Sequence, residues 1–228
     1  MTISKGAFVG VARGLVGGMI AAAIAAGSPA LAVVAYDEAV SGDLSGTRTS
    51  PTPVSLVLGE NQISGSVGAP GGVVDRDYFT FTLSAGQQLT AIQVLTGTTS
   101  VGPRSLSFFG LQSGGQVTVD PAAASATDLL GYAHYGPGLI GTDILDDISI
   151  GAGSHGFTPP LGAGTYSVWL QEVNDGTANY RFNFLVAPVP EPSSWAMMLV
   201  GFGLIGATVR RRRSQIVSGP NSARSLAM

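Results

Sequence analysis

The stretch Arg76-Asp77-Tyr78-Phe79-Thr80-Phe81-Thr82-Leu83 narrows the choice of fold more than any other. Phe79, Phe81 and Leu83 fall on one side of an extended chain, and Tyr78, Thr80 and Thr82 on the other. A period of two marks a β-strand with one buried face. Ser84-Ala85-Gly86 turns the chain, and Thr90, Ile92 and Val94 alternate in a second strand. Leu106 and Phe108 stand at strand spacing, and Val117-Thr118-Val119 is another short piece. Tyr166, Val168 and Leu170 share a face, as do Tyr180, Phe182, Phe184 and Val186. Between these two runs Asn174-Asp175-Gly176 has the residues that tolerate turn geometry, so the pair is expected to form a β-hairpin. Residues 121–130 are expected to form one short helix. Many short strands with glycine-rich turns point to an all-β body over residues 54–187, a β-sandwich or jelly roll. Residues 33–53 hold few large apolar side chains and are expected to be a flexible leader.

Composition supports this. The chain is 45% hydrophobic with 33 glycines and only 11% charged residues, whereas disordered chains are charge-rich and poor in apolar residues. A domain of this size can bury roughly two-thirds of its unfolded surface. Between Val33 and Val189 there are 13 acidic residues against four arginines, a net of −9. An acidic body argues against nucleic acid as a partner, since phosphate is bound through cations. The absence of cysteine excludes disulfides, thiolate metal sites and cysteine nucleophiles.

Both ends read as addresses. Lys5 and Arg13, an apolar run from Leu15 to Ala26, and the small residues Ala30 and Ala32 make residues 1–32 a secretory signal peptide, cut by signal peptidase after Ala32. Ser28-Pro29 breaks the helix just before that site and disfavours a retained anchor. At the other end, Trp195 to Val209 is an apolar run of 15 residues. It would span about 22 Å as a helix, short of a hydrocarbon core of roughly 30 Å. Ser193 and Ser194 can extend it, Trp195 suits an interface, and Arg210, Arg211, Arg212 and Arg213 suit the cytoplasmic flank. A single C-terminal transmembrane helix is therefore expected, with the body outside.

Pro190-Glu191-Pro192, then Trp195-Ala196-Met197-Met198, Gly201-Phe202-Gly203-Leu204-Ile205-Gly206 and the four arginines resemble a PEP-CTERM sorting signal over residues 188–213. The resemblance implies an exopolysaccharide-making Gram-negative bacterium and an exosortase as processing partner. It implies cleavage near Pro190-Glu191-Pro192, which would free the body from a transient membrane tether. The family usually ends close to the arginines, whereas here residues 214–228 follow; this polar tail is expected to remain cytoplasmic. In the body, Asp75 to Gln87, Leu161 to Trp169 and Tyr180-Arg181-Phe182 also resemble the bacterial pre-peptidase C-terminal domain, a small β-sandwich of secreted proteins. Fold alone assigns no function.

Motifs for chemistry are sparse. Gly151-Ala152-Gly153-Ser154-His155-Gly156 matches G-x-G-x-x-G, but Pro159 and Pro160 follow where a nucleotide-binding helix should open. His134 and His155 are the only histidines and read as surface loop residues. Carboxylates form three groups: Asp75 and Asp77; Asp143, Asp146 and Asp147; Glu172 and Asp175 beside Asn174. Ca²⁺ takes six to eight oxygens, which such loops can supply, though none has EF-hand spacing; solvated loop acids are the plainer reading, with no cofactor. Trp169 faces away from Tyr166, Val168 and Leu170, so it either stacks on a sugar from an exposed face or packs under a loop. The expectation is an exported, non-enzymatic surface or matrix protein, held first at the inner membrane with its body in the periplasm and then released to the outer surface. A glycan-binding module for exopolysaccharide is the alternative, and a secreted hydrolase a third.

Overall fold

The computed structural model describes residues 32–102, 105–123, 125–190 and 192–217. The described chain is mostly β, in two sheets. The strands are β1 (Val33–Asp37), β2 (Thr52–Pro53), β3 (Gly59–Gly68), β4 (Arg76–Leu83), β5 (Gln87–Val94), β6 (Ser107–Ser113), β7 (Gly131–Tyr135), β8 (Gly164–Gln171) and β9 (Thr177–Pro188). The helices are α1 (Glu38–Ser41), α2 (Leu145–Ser149) and α3 (Pro192–Val217). One sheet has the order β1-β3-β9-β5, the other β2-β4-β8-β6-β7. β1 and β2 join as parallel edge strands, on β3 and β4 respectively, and the remaining pairs are antiparallel.

The alternation in β4 and β9 sets the interior. Phe79 and Phe81 of one sheet meet Phe184 of the other edge-on, with ring centroids 5.9 and 5.7 Å apart, and Phe109 meets Phe182 at 5.4 Å. Such edge-to-face contacts place the positive rim of one ring on the negative face of the next. Ile144, Leu145 and Ile148 of the α2 region are buried in the same interior.

Three expectations change. Residues 33–53 are no loose leader: they supply β1, α1 and β2, and Leu44 is buried at 2% exposure in the main core. β8 and β9 do not form a hairpin; they lie in opposite sheets. Each has an apolar face, and the two faces are buried by meeting across the interior, so Glu172 to Gly176 form an arch between sheets. Residues 121–130 form two 3₁₀ turns, Pro121–Ala123 and Ala126–Asp128, in place of one helix.

The outward face of β4 and β8 is also covered. Tyr78, Val117, Val119, Leu129 and Trp169 make a second small core, with Phe108 against it. Trp169 is 2% exposed, and its ring centroid lies 4.7 Å from that of Phe108. The covering loop is pinned from two sides. Arg48 donates to the carbonyls of Val117 (3.2 Å) and Thr118 (2.9 Å), and Gln112 bonds both the backbone N–H and the hydroxyl of Thr118. Of the two readings of Trp169, packing under a loop is what the fold shows.

α3 has 26 residues. Its apolar side chains, among them Met197, Leu199, Phe202 and Leu204, are exposed. Among the described residues no helix is long and apolar enough to cross a membrane. α3 meets the length expected of a transmembrane helix, about 39 Å at 1.5 Å per residue, but Gly201, Gly203 and Gly206 dilute its apolar run and the arginines end it.

Candidate functional site

The inward row of β4 begins with a charge. Asp77 shares a face with Phe79, Phe81 and Leu83, and is fully buried at 0% exposure. Across the interior, the matching row of β9 holds Tyr180 next after Ala178. Glu38 closes the gap from the N-terminal segment. Asp37 accepts from Ala39 N–H (3.1 Å) and so caps α1, which sets Glu38 at its first turn. The Glu38 carboxylate accepts from the Tyr180 hydroxyl (3.0 Å), Ser66 N–H (2.8 Å) and Leu44 N–H (3.3 Å).

Gly65 makes this arrangement possible. It pairs with Tyr180 in the β3–β9 ladder, and a Cβ there would collide with both the Glu38 carboxylate and the Tyr180 hydroxyl. Asp43 completes the cluster from the solvent side. Glu38, Asp43 and Asp77 each present a carboxylate oxygen within 4.8 Å of the other two. Neither oxygen of Asp77 has a hydrogen-bond partner.

The electrostatics follow from this crowding. Burial, and then the charge of Glu38, push the Asp77 carboxyl up to about 9. Burial, then Asp43 and Glu38, raise Asp75. Burial, then Glu38, Asp43 and Asp77, raise the phenol of Tyr36, and burial, then Asp77 and Glu38, raise that of Tyr180. A polar groove of about 640 Å³ opens beside the cluster, with Glu38, Asp43, Ser64, Ser66, Asn179 and Arg181 in its walls. Arg181 directs its guanidinium to Gln62 Oε1 at 2.8 Å.

The other candidate acids are placed differently. Asp143 Oδ1 accepts from Ile92 N–H (2.8 Å) and Leu145 N–H (3.0 Å), fastening α2 to β5. Asp146 and Asp147 are exposed in the first turn of α2. Asp175 Oδ1 accepts from Gly71 N–H at 3.0 Å. Glu172 is buried beneath the β8–β9 arch and accepts from Val173 N–H, Asn174 N–H, the Asn174 side-chain amide and the Ser105 and Ser107 hydroxyls. Of the candidate groups, only Asp77 enters a cluster of three acids, and its partners Glu38 and Asp43 come from the segment expected to be a leader. The signal for Asp77 lies in the alternation itself, which puts a carboxylate in step with three core residues.

His134 is exposed on β7, so it is a strand residue, and His155 is exposed in a loop. Ser154 Oγ donates to Gly151 C=O at 2.6 Å. Of the expected signal peptide, residues 1–32, the first 31 lie outside the described residues, as does Glu191; Ala32 is exposed just before β1.

At the other end, β9 stops at Pro188 and α3 starts at Pro192. Val189 and Pro190 between them are exposed, and Val189 N–H donates to Gly86 C=O at 2.8 Å. Residues 188–213, from the last residue of β9 to the fourth arginine, match the model of the PEP-CTERM protein-sorting motif. The tail is a PEP-CTERM sorting motif. The PEP-CTERM motif marks an exported protein processed by an exosortase. Among solved structures the chain is similar to the Salmonella Typhimurium protein PliG, a periplasmic lysozyme inhibitor of g-type lysozyme. Identity is 12%, coverage is 60% of this chain and 99% of that one, and the TM-score is 0.26. No curated protein matches the chain.

Proposed function

We propose that this protein is a surface or matrix component of an exopolysaccharide-associated bacterial envelope, with a structural or adhesive role and no catalytic one. In this reading the signal peptide exports the chain. α3 then holds it briefly at the inner membrane, with Trp195 at the outer interface and Arg210 to Arg213 on the cytoplasmic side. An exosortase cuts near Pro190-Glu191-Pro192, and the sandwich is released to the outer surface. The observation that carries the reading is the match of residues 188–213 to the sorting motif. Its seam is placed to suit: the exposed Val189 and Pro190 lie between the last strand and the helix, so a cut there leaves both sheets whole.

The polar groove beside Glu38 favours a second reading, an exopolysaccharide-binding module. Ser64, Ser66, Asn179 and Arg181 are hydrogen-bonding groups of the kind that recognise sugar hydroxyls. Retention of the protein on its own exopolysaccharide, lost in N179A/R181A, separates this from a purely structural role.

The test of the main reading is mass spectrometry of the protein from wild-type cells and from cells lacking the exosortase. The wild type should yield a body that starts at Val33 and ends near Pro190. The mutant should yield a membrane-held chain that keeps its arginines. A full-length chain recovered soluble from cytosol, Met228 included, would overturn it.

A further inference from the structure

A carboxylate with no partner deep in a sandwich needs a physical reason. Burying an unpaired charge is among the costliest things a fold can do, and protein interiors avoid it by pairing, protonation or metal coordination. Neither oxygen of Asp77 has a hydrogen-bond partner; the Tyr180 hydroxyl lies close by but gives its hydrogen to Glu38. Two further carboxylates face it. Arg181, the cation in the wall of the adjoining groove, is turned to Gln62.

We propose that Glu38, Asp43 and Asp77 hold one hard divalent cation, Ca²⁺ by its chemistry, and that the ion clamps the N-terminal segment onto both sheets. Two observations carry this independently. The three carboxylates converge, and the fully buried one, which offers an oxygen to that convergence, has neither of its oxygens hydrogen-bonded. All three donors are carboxylate oxygens, which suit Ca²⁺ or Mg²⁺ and not the metals that prefer nitrogen or sulfur.

Reach allows the larger ion. Oxygens bound to one Ca²⁺ at roughly 2.3–2.6 Å stand at most about 5 Å apart, against about 4 Å around Mg²⁺. The three carboxylates are already within 4.8 Å of one another. The adjoining groove gives an entry path and room for waters to complete the shell. Glu38 is pre-set by its donors from Tyr180, Ser66 and Leu44, which orient it as outer-shell partners orient a metal ligand.

The ligands belong to two pieces of chain, and a hydrogen bond joins a third to them. Glu38 opens α1 and Asp43 follows it, Asp77 lies near the start of β4, and Tyr180, bonded to Glu38, lies in the inward row of β9. Ion binding would therefore tie residues 38–43 to both sheets at once.

The test uses the full chain purified in detergent, stripped with chelator and titrated with Ca²⁺ alone by calorimetry, with thermal unfolding followed in parallel. One site per chain is expected, with Kd at or below about 1 mM, the range of extracellular modules. The melting temperature should rise by roughly 5 °C or more at a hundred times Kd. D43N, at an exposed position, should fold and bind at least tenfold more weakly, and E38Q and D77N should bind less still. A D146N/D147N double variant should bind as wild type. If D77N fails to fold, D43N and E38Q carry the comparison. No heat and no melting shift in wild type would overturn the proposal, leaving a proton shared by Asp77 and Glu38. So would Ca²⁺ binding that D43N and E38Q leave unchanged, because the ion would then sit elsewhere.

Discussion

Three residues carry more of this fold than their types suggest. Gly65 is needed for close approach, since any side chain would strike the Glu38 carboxylate and the Tyr180 hydroxyl. Gly65→Ala is expected to cost about 1–3 kcal/mol, the usual penalty of overpacking, read from urea unfolding. Trp169 is buried under the 114–130 loop. Trp169→Ala is therefore expected to cost about 3–5 kcal/mol, and any loss of sugar retention in that variant would report damage to the fold. Glu172 gives a pH dependence. Burial acts to raise its pKa but is outweighed by hydrogen bonds from the Asn174 backbone, the Ser105 hydroxyl, the Asn174 side chain and the Val173 backbone, so it is held below its ordinary value of 4.5. A depressed folded pKa means that its stabilisation is complete above the unfolded value and is lost as pH falls through the folded one. Unfolding measured from pH 6 down to pH 3 should show wild type losing stability below about 4.5. Glu172→Gln should flatten that limb and lower stability at pH 7 by about 1–3 kcal/mol, because hydrogen bonds to a buried charge are lost.

The elements show where local sequence reading succeeds and where it stops. The strands of 76–83, 87–94, 164–171 and 177–188 are visible in the sequence because alternation is a property of a few neighbouring residues. Which strand pairs with which is not, because that is decided by the apolar faces meeting across the interior. Among the described strands only β6 and β7 are neighbours both in sequence and in a ladder. Asn174-Asp175-Gly176 suits a hairpin turn and an arch equally well, so the turn chemistry cannot tell them apart. The N-terminal segment misleads for a related reason: it is polar in composition but contributes two edge strands, one buried leucine and a cap. Leu44→Ala decides the matter quantitatively. A leader residue would change stability by no more than about 0.5 kcal/mol, whereas a core residue should cost about 2–5 kcal/mol on chemical denaturation. The same non-local pairing should make refolding slow, in the millisecond-to-second range of sandwiches, as stopped-flow dilution from urea would show.

The whole molecule divides into a cargo and a handle. The acidic cluster, the groove and both cores lie in the cargo, and the handle begins where β9 ends. The sorting motif is legible in the sequence alone because its three parts lie in order along about 25 residues. The cluster is not, because its acids come from positions 38, 43 and 77 and meet only in the fold. Severing the chain after Pro190 should leave the stability of the body unchanged to within about 0.5 kcal/mol, since the described contact at that seam is a single backbone bond from Val189 to Gly86. The handle is also attached to a particular strand. β9 lies inside its sheet, bonded along one edge to β3 and along the other to β5. A pull on the anchored end would load both ladders in shear, with many backbone bonds sharing the strain, instead of unzipping an edge strand one bond at a time. On the proposed reading, in which α3 tethers the body before cleavage, any drag on the tether would reach the body through a strand braced on both sides.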